Sequence, residues 1–152
     1  MRNTILDVNK SFFDEKQVPS FGYELLREVL IPDLLGKDTP QLLYWAGKNL
    51  ARKYPLDSIE MIVDFFSKAG WGQLTLDKDK KEELEFHLTG DLVSNRLSSK
   101  EPSTFQLESG FLAQQIEHQK GQLSEAYEQQ KNRALKVIFT VKTDKKDIIK
   151  HI

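Results

Sequence analysis

The chain has 152 residues, with 22 Lys and Arg against 23 Asp and Glu, and no Cys. A net charge of −1 argues against nucleic-acid binding driven by phosphate neutralisation. The missing Cys excludes disulfides, thiolate metal sites and Cys nucleophiles. No apolar run reaches the roughly 20 residues that a membrane span needs, and Met1 to Asn9 carries no apolar signal core. The expectation is therefore a cytoplasmic protein with no nucleic-acid partner and no membrane span. One domain over residues 1–152 is expected, with 1–20 and 143–152 as peripheral segments.

In chain order, Phe12 and Phe13 stand as docking anchors in a mixed N-terminal stretch. From Tyr23 to Leu35, residues Tyr23, Leu26, Leu30 and Leu34 share one helical face, with a kink or break expected before Pro32. Thr39 as N-cap and Pro40 in the first turn open a second helix. Its stripe is Leu43, Ala46, Gly47, Leu50 and Tyr54, and Gly47 implies that another element packs very close. Asp57 and Glu60 resemble a capping box for a third helix, Ser58 to Ala69, ended by Gly70.

The period then changes to two. Leu74 and Leu76, then Leu84, Phe86 and Leu88, predict a β-hairpin with one buried face. A short helix follows at Leu92 to Leu97. Ser103 and Gln106 form a second capping box for a helix from Thr104 to Lys120, ended by Gly121. Phe105, Leu112 and Ile116 lie on one side of it and Leu107, Phe111 and His118 on the other, which predicts a helix wedged between two layers. Gln122 to Gln130 and Leu135 to Val141 predict a second hairpin. In the first of these strands Leu123, Glu125 and Tyr127 are placed inward. The tail from Thr143 is read as a short helix. Helices, hairpin, helix, hairpin make an α+β fold: an antiparallel four- to five-stranded sheet packed by helices.

The chemistry is sparse. No His pair has metal-binding spacing, and no phosphate loop or nucleophile elbow is present. His87 falls on the polar face of its strand, so a solvent-facing role is favoured. His118 is either a structural His or a cavity-lining one, with axial haem ligation as a weaker reading. Glu125, read as inward, is either an acid–base or ligand-binding group or one half of a salt bridge. No metal and no cofactor are expected. Trp45 lies opposite the apolar stripe of its helix, near Lys48 and Arg52, and the three together suggest a protein interface.

The run Phe21-Gly22-Tyr23-Glu24-Leu25-Leu26-Arg27-Glu28, then Leu43-Tyr44-Trp45-Ala46-Gly47-Lys48 and Ala69-Gly70-Trp71-Gly72, resembles the YslB-like family of small bacterial proteins. The resemblance spans Ser20 to Thr143. The C-terminal half is also similar to a wider superfamily of 4-vinyl reductase-like domains, TRAPP trafficking subunits and haem-based nitric-oxide sensors. In the vinyl-reductase-like branch, a glycine-and-leucine helix leads into strands with a Glu and two Cys. Gly110-Phe111-Leu112-Ala113, Glu117 and Gly121 match that helix, and Glu125 matches the strand Glu. The two Cys positions fall on Glu128 and Val137, so their thiol or metal role is absent here. The resemblance implies dimerisation through helices and an apolar pocket between sheet and helices.

These readings combine into a non-enzymatic module that binds a small apolar ligand or forms a homodimeric interaction unit. Phe66, Phe86, Phe111, Tyr127 and Phe139 are the candidate pocket walls, with His118 or Glu125 as the polar group. A haem- or lipid-binding sensor, or an enzyme using Glu125 or His118 as acid–base, is the alternative.

Overall fold

The computed structural model describes Phe13 and residues 16–148. The chain forms two compact units, Met1–Lys37 and Asp38–Ile152. Phe12, named above, lies outside the described residues.

In the first unit, α1 (Ser20–Glu24) and α2 (Ile31–Leu35) are joined by a π-helical stretch, Leu25–Leu30. Pro32 does not break this helix. The Ile31 N–H reaches back to the Leu26 carbonyl, so the turn before the proline is widened. That widening accommodates a ring that would otherwise press on the carbonyl four residues earlier. Phe21, Leu26, Val29, Leu30 and Leu34 on this helix are exposed. Arg27 is buried, with Nη1 donating to the Tyr23 hydroxyl at 3.3 Å.

The second unit runs α3 (Thr39–Lys53), α4 (Ile59–Lys68), β1 (Gln73–Asp79), β2 (Glu83–Thr89), α5 (Asp91–Ser98), α6 (Gln106–Lys120), β3 (Gln122–Lys131) and β4 (Lys136–Ile148). The four strands make one antiparallel sheet in the order β1-β2-β4-β3. The hairpins β1–β2 and β3–β4 are joined through β2 and β4, where Phe86 pairs with Phe139. Leu74, Leu84, Phe86, Leu88, Val137, Phe139 and Val141 are all buried, as the alternation predicts. The tail is not a short helix. Strand β4 continues through Thr143 to Ile148, and the Thr143 N–H donates to the Glu82 carbonyl at 2.9 Å. Leu135 does not begin this strand but sits in the preceding turn with φ 53°, so pairing starts at Lys136.

Helix α6 packs on β3 and β4 on one side and on α3 on the other. It buries residues nearly all round, Glu108 to Ala113 and then Gln115 and Ile116, as a wedged helix must. Two glycines set how deeply it sits. A Cβ on Gly110 would lie 1.9 Å from the Tyr44 carbonyl oxygen, and one on Gly47 would lie 2.1 Å from the Leu107 carbonyl oxygen. The two helix backbones therefore touch, and no other residue type fits either position. The buried stripe of α3 is accordingly Leu43, Gly47 and Ala51, whereas Ala46 is exposed.

Buried polar groups tie the connections down. The fully buried Gln115 accepts from the Leu56 N–H at 3.0 Å and donates to the Tyr54 carbonyl at 2.8 Å, which fixes the loop between α3 and α4. Phe65, Phe66, Trp71 and Phe111 form an aromatic cluster between α4 and α6, with Phe65 stacked on Phe111 at 4.6 Å. Gly121 ends α6 in the left-handed conformation at φ 68°.

The expected caps are corrected in detail. Thr39 is the first residue of α3, and the N-cap position is Asp38. Ser58, not Asp57, caps α4 by accepting from the Met61 N–H at 3.1 Å. The N-terminus of α6 is satisfied by Glu128 from β3 and by Thr104, whose Oγ1 accepts from the Gln106 N–H at 3.2 Å. The Glu128 carboxylate accepts from the Phe105 N–H at 3.1 Å and from Gln106 Nε2 at 2.6 Å. A carboxylate at that end also suits the helix dipole.

Candidate functional site: the groove at the open side of β3

Among the described residues, strand β3 has one neighbour in the sheet, β4. Along its open side runs a groove of about 520 Å³, lined by Gln41, Tyr44, Gln106, Glu125, Ala126 and Tyr127. Its polar centre is built from α3 and β3. The Tyr44 hydroxyl donates to Glu125 Oε2 and accepts from the Ala126 N–H at 3.1 Å. Lys48 Nζ donates to Glu125 Oε1 at 3.0 Å and lies 5.1 Å from the centre of the Tyr44 ring. Tyr44 and Lys48 are four residues apart on α3, so both face β3 from one side of the helix. Burial of the phenol and its hydrogen bond to Glu125 raise the Tyr44 pKa well above its ordinary value. The phenol therefore stays protonated and remains a donor.

Glu125 is not inward. It is exposed, and so are Leu123 and Tyr127, while Ser124 and Ala126 face α6. The phase of β3 is shifted by one residue from the expected one. The side turned to α6 carries the small Ser124 and Ala126, and the two-residue alternation of the strand then puts Leu123, Glu125 and Tyr127 on the other face.

The remaining candidates do not converge. Phe66, Phe86, Phe111 and Phe139 are fully buried and pack within the core. His118 is partly exposed, with Nε2 3.5 Å from Asp57 Oδ1. The pocket residues chosen from sequence are thus divided between the core, the surface near Asp57 and the groove. Of the interface candidates, Trp45 is exposed, Lys48 is engaged with Glu125, and Arg52 donates to Asn49 at 3.0 Å. Sequence reasoning misses Tyr44, which enters it only within a family motif. Its signal was its position one turn before Lys48 on a helix held close by glycine.

Among the described residues, no helix is long and apolar enough to cross a membrane. The chain is 52% identical over 133 residues to the "Uncharacterized protein YslB" of Bacillus subtilis, covering 88% of this chain and 90% of that one. In fold it is similar to a vinyl-4-reductase family protein from Methanocaldococcus jannaschii, with a TM-score of 0.68 and 22% identity. That match covers 90% of this chain and 89% of the other. The α+β sheet-and-helix architecture is therefore that of the vinyl-4-reductase fold. The profile described as "Protein of unknown function (DUF2507)" matches residues 20–142, and the chain belongs to that family.

Proposed function

We propose that this protein is a non-enzymatic interaction module that associates with a second copy of itself through the helix containing Leu26 and Leu30. The observation that carries this reading is the exposed row Phe21, Leu26, Val29, Leu30 and Leu34 in the first unit. Clustered apolar side chains of this size mark association surfaces more often than bare surface. Self-association is the simplest way to cover them, because a two-fold pair uses one patch twice. A net charge of −1 offers little repulsion between copies. Exposed Trp45 on α3 is a second anchor of the type enriched in interfaces.

Sedimentation of the full chain tests the proposal. A dimer is expected, and Leu26→Glu with Leu30→Glu is expected to give a folded monomer with unchanged far-ultraviolet circular dichroism. A wild-type chain that sediments as a monomer at all concentrations overturns it.

Ligand binding is a second reading, favoured by the convergence of Tyr44, Lys48 and Glu125 on one groove. The groove's volume lies within the range of small-molecule sites. Native mass spectrometry of protein purified without denaturation tests it. A bound small molecule that is lost in Tyr44→Phe supports the reading, and bare protein in every preparation opposes it. Acid–base catalysis is not favoured, because Glu125 is held by Tyr44 and Lys48 while His118 lies beside Asp57.

A further inference from the structure

On the sheet face opposite the buried Leu74, Phe86 and Phe139, three ligating side chains meet at the junction of β1 and β2. His87 Nε2 is 2.9 Å from Glu85 Oε2 and 3.6 Å from Asp77 Oδ2. One ligand atom from each of the three residues lies within 4.8 Å of the others. We propose that Asp77, Glu85 and His87 form a binding site for a borderline divalent cation, of which Zn²⁺ is the type.

The placement follows from the strand register. Glu85 and His87 are two apart on β2, so both project from the same face. Regular pairing would set one residue of β1 opposite Glu85. A bulge between Leu76 and Lys78 sets two there, and Lys78 takes the paired position. Asp77 is the extra residue, and it turns toward His87 instead of continuing the ladder.

The chemistry of the set selects the ion. Bonds of about 2.0–2.2 Å from one imidazole nitrogen and two carboxylate oxygens, at tetrahedral angles, place donor atoms roughly 3.3–3.6 Å apart. The observed His–carboxylate distances bracket that range, and the three ligand atoms lie within 4.8 Å of one another. A nitrogen in the set favours Zn²⁺ over Mg²⁺ or Ca²⁺, which prefer oxygen alone. Glu85 and His87 are half-buried and Asp77 is more exposed, so the ion can enter from solvent and keep water as its remaining ligand.

Two cations border the site and set its strength. Lys78 Nζ lies 3.8 Å from Glu85 Oε1, and Lys136 Nζ lies 3.5 Å from His87 Nδ1. An ammonium at Nδ1 can only donate, whereas an imidazole bound to metal through Nε2 needs an acceptor at Nδ1. Lys136 therefore opposes metal binding and must swing aside.

Zn²⁺ titration of the tag-free full chain tests the site, by calorimetry and by long-range ¹H–¹⁵N spectra of the His rings. One ion per chain is expected, with the His87 ring resonances moving and excess Mg²⁺ failing to compete. His87→Gln and Glu85→Gln should each weaken binding at least as much as loss of an outer-sphere partner, about 10–100-fold. Lys136→Gln should tighten it, and His118→Gln should leave it unchanged. Circular dichroism confirms that each variant is folded. No uptake by the wild type, or uptake undiminished in folded His87→Gln, overturns the proposal.

Discussion

A methyl group placed on Gly110 would sit 1.9 Å from the carbonyl oxygen of Tyr44. The first of these residues is on α6 and the second on α3, so the contact sets the depth at which the central helix is held. Gly110→Ala must push the two backbones apart. A loss of about 3 kcal/mol or more is expected in urea unfolding, at the upper end of overpacking effects. Gly47→Ala, aimed at the Leu107 carbonyl, should act in the same direction.

Glu128 satisfies the start of α6 from a different element, so its loss should register as a lost cap. Glu128→Ala is expected to cost about 1–2 kcal/mol by chemical denaturation. Glu128→Gln keeps an acceptor oxygen, and should cost less.

Gln115 bonds both sides of one loop from full burial. Gln115→Ala leaves the Leu56 N–H and the Tyr54 carbonyl without that partner, with an expected loss of about 2–3 kcal/mol. Gln115→Glu keeps the acceptor for Leu56 and loses the donor to Tyr54. Hydrogen exchange at Leu56 in the two variants separates the contributions.

Leu135 holds a left-handed backbone that disfavours a side chain. Leu135→Gly removes that strain, while the unfolded chain gains freedom. The net expectation is a gain of up to about 1 kcal/mol, seen as a higher thermal midpoint.

Two groups give opposite pH dependences. The folded pKa of Tyr44 is raised, by burial first and by Glu125 second. Its contribution is complete below the ordinary tyrosine value of 10.0 and falls as pH rises beyond it, because the unfolded chain ionises first. Tyr44→Phe should flatten the alkaline limb of the stability curve. The folded pKa of Glu85 is lowered, chiefly by its hydrogen bond with His87. Its contribution is present above 4.5 and is lost as pH falls through the lower folded value. Glu85→Gln should remove that part of the acid limb.

The sheet was legible because Leu84, Phe86 and Leu88 on β2 and Val137, Phe139 and Val141 on β4 admit a single phase. Gly47 announced a close neighbour, and the neighbour is α6. Strand β3 misled. Its buried positions are the small Ser124 and Ala126, while the bulkier Leu123 and Tyr127 take the exposed face, so the apolar alternation marks the wrong side. The cap from Glu128 and the partnership of Tyr44 with Glu125 join residues 23 and 81 positions apart, which no local pattern encodes. The bulge at Asp77 was equally invisible, because β1 from Asp77 to Asp79 is entirely charged and has no apolar residue to register the change of phase.

The hydroxyl of Tyr44 occupies the one N–H of β3 that Ala126 would otherwise offer outward. A stray strand seeking to extend the sheet there finds that position taken, with the Lys48–Glu125 pair beside it. Fibril growth through this rim must first detach a tyrosine held by Glu125 and the Ala126 N–H, so Tyr44→Phe should aggregate faster than its loss of stability alone would dictate.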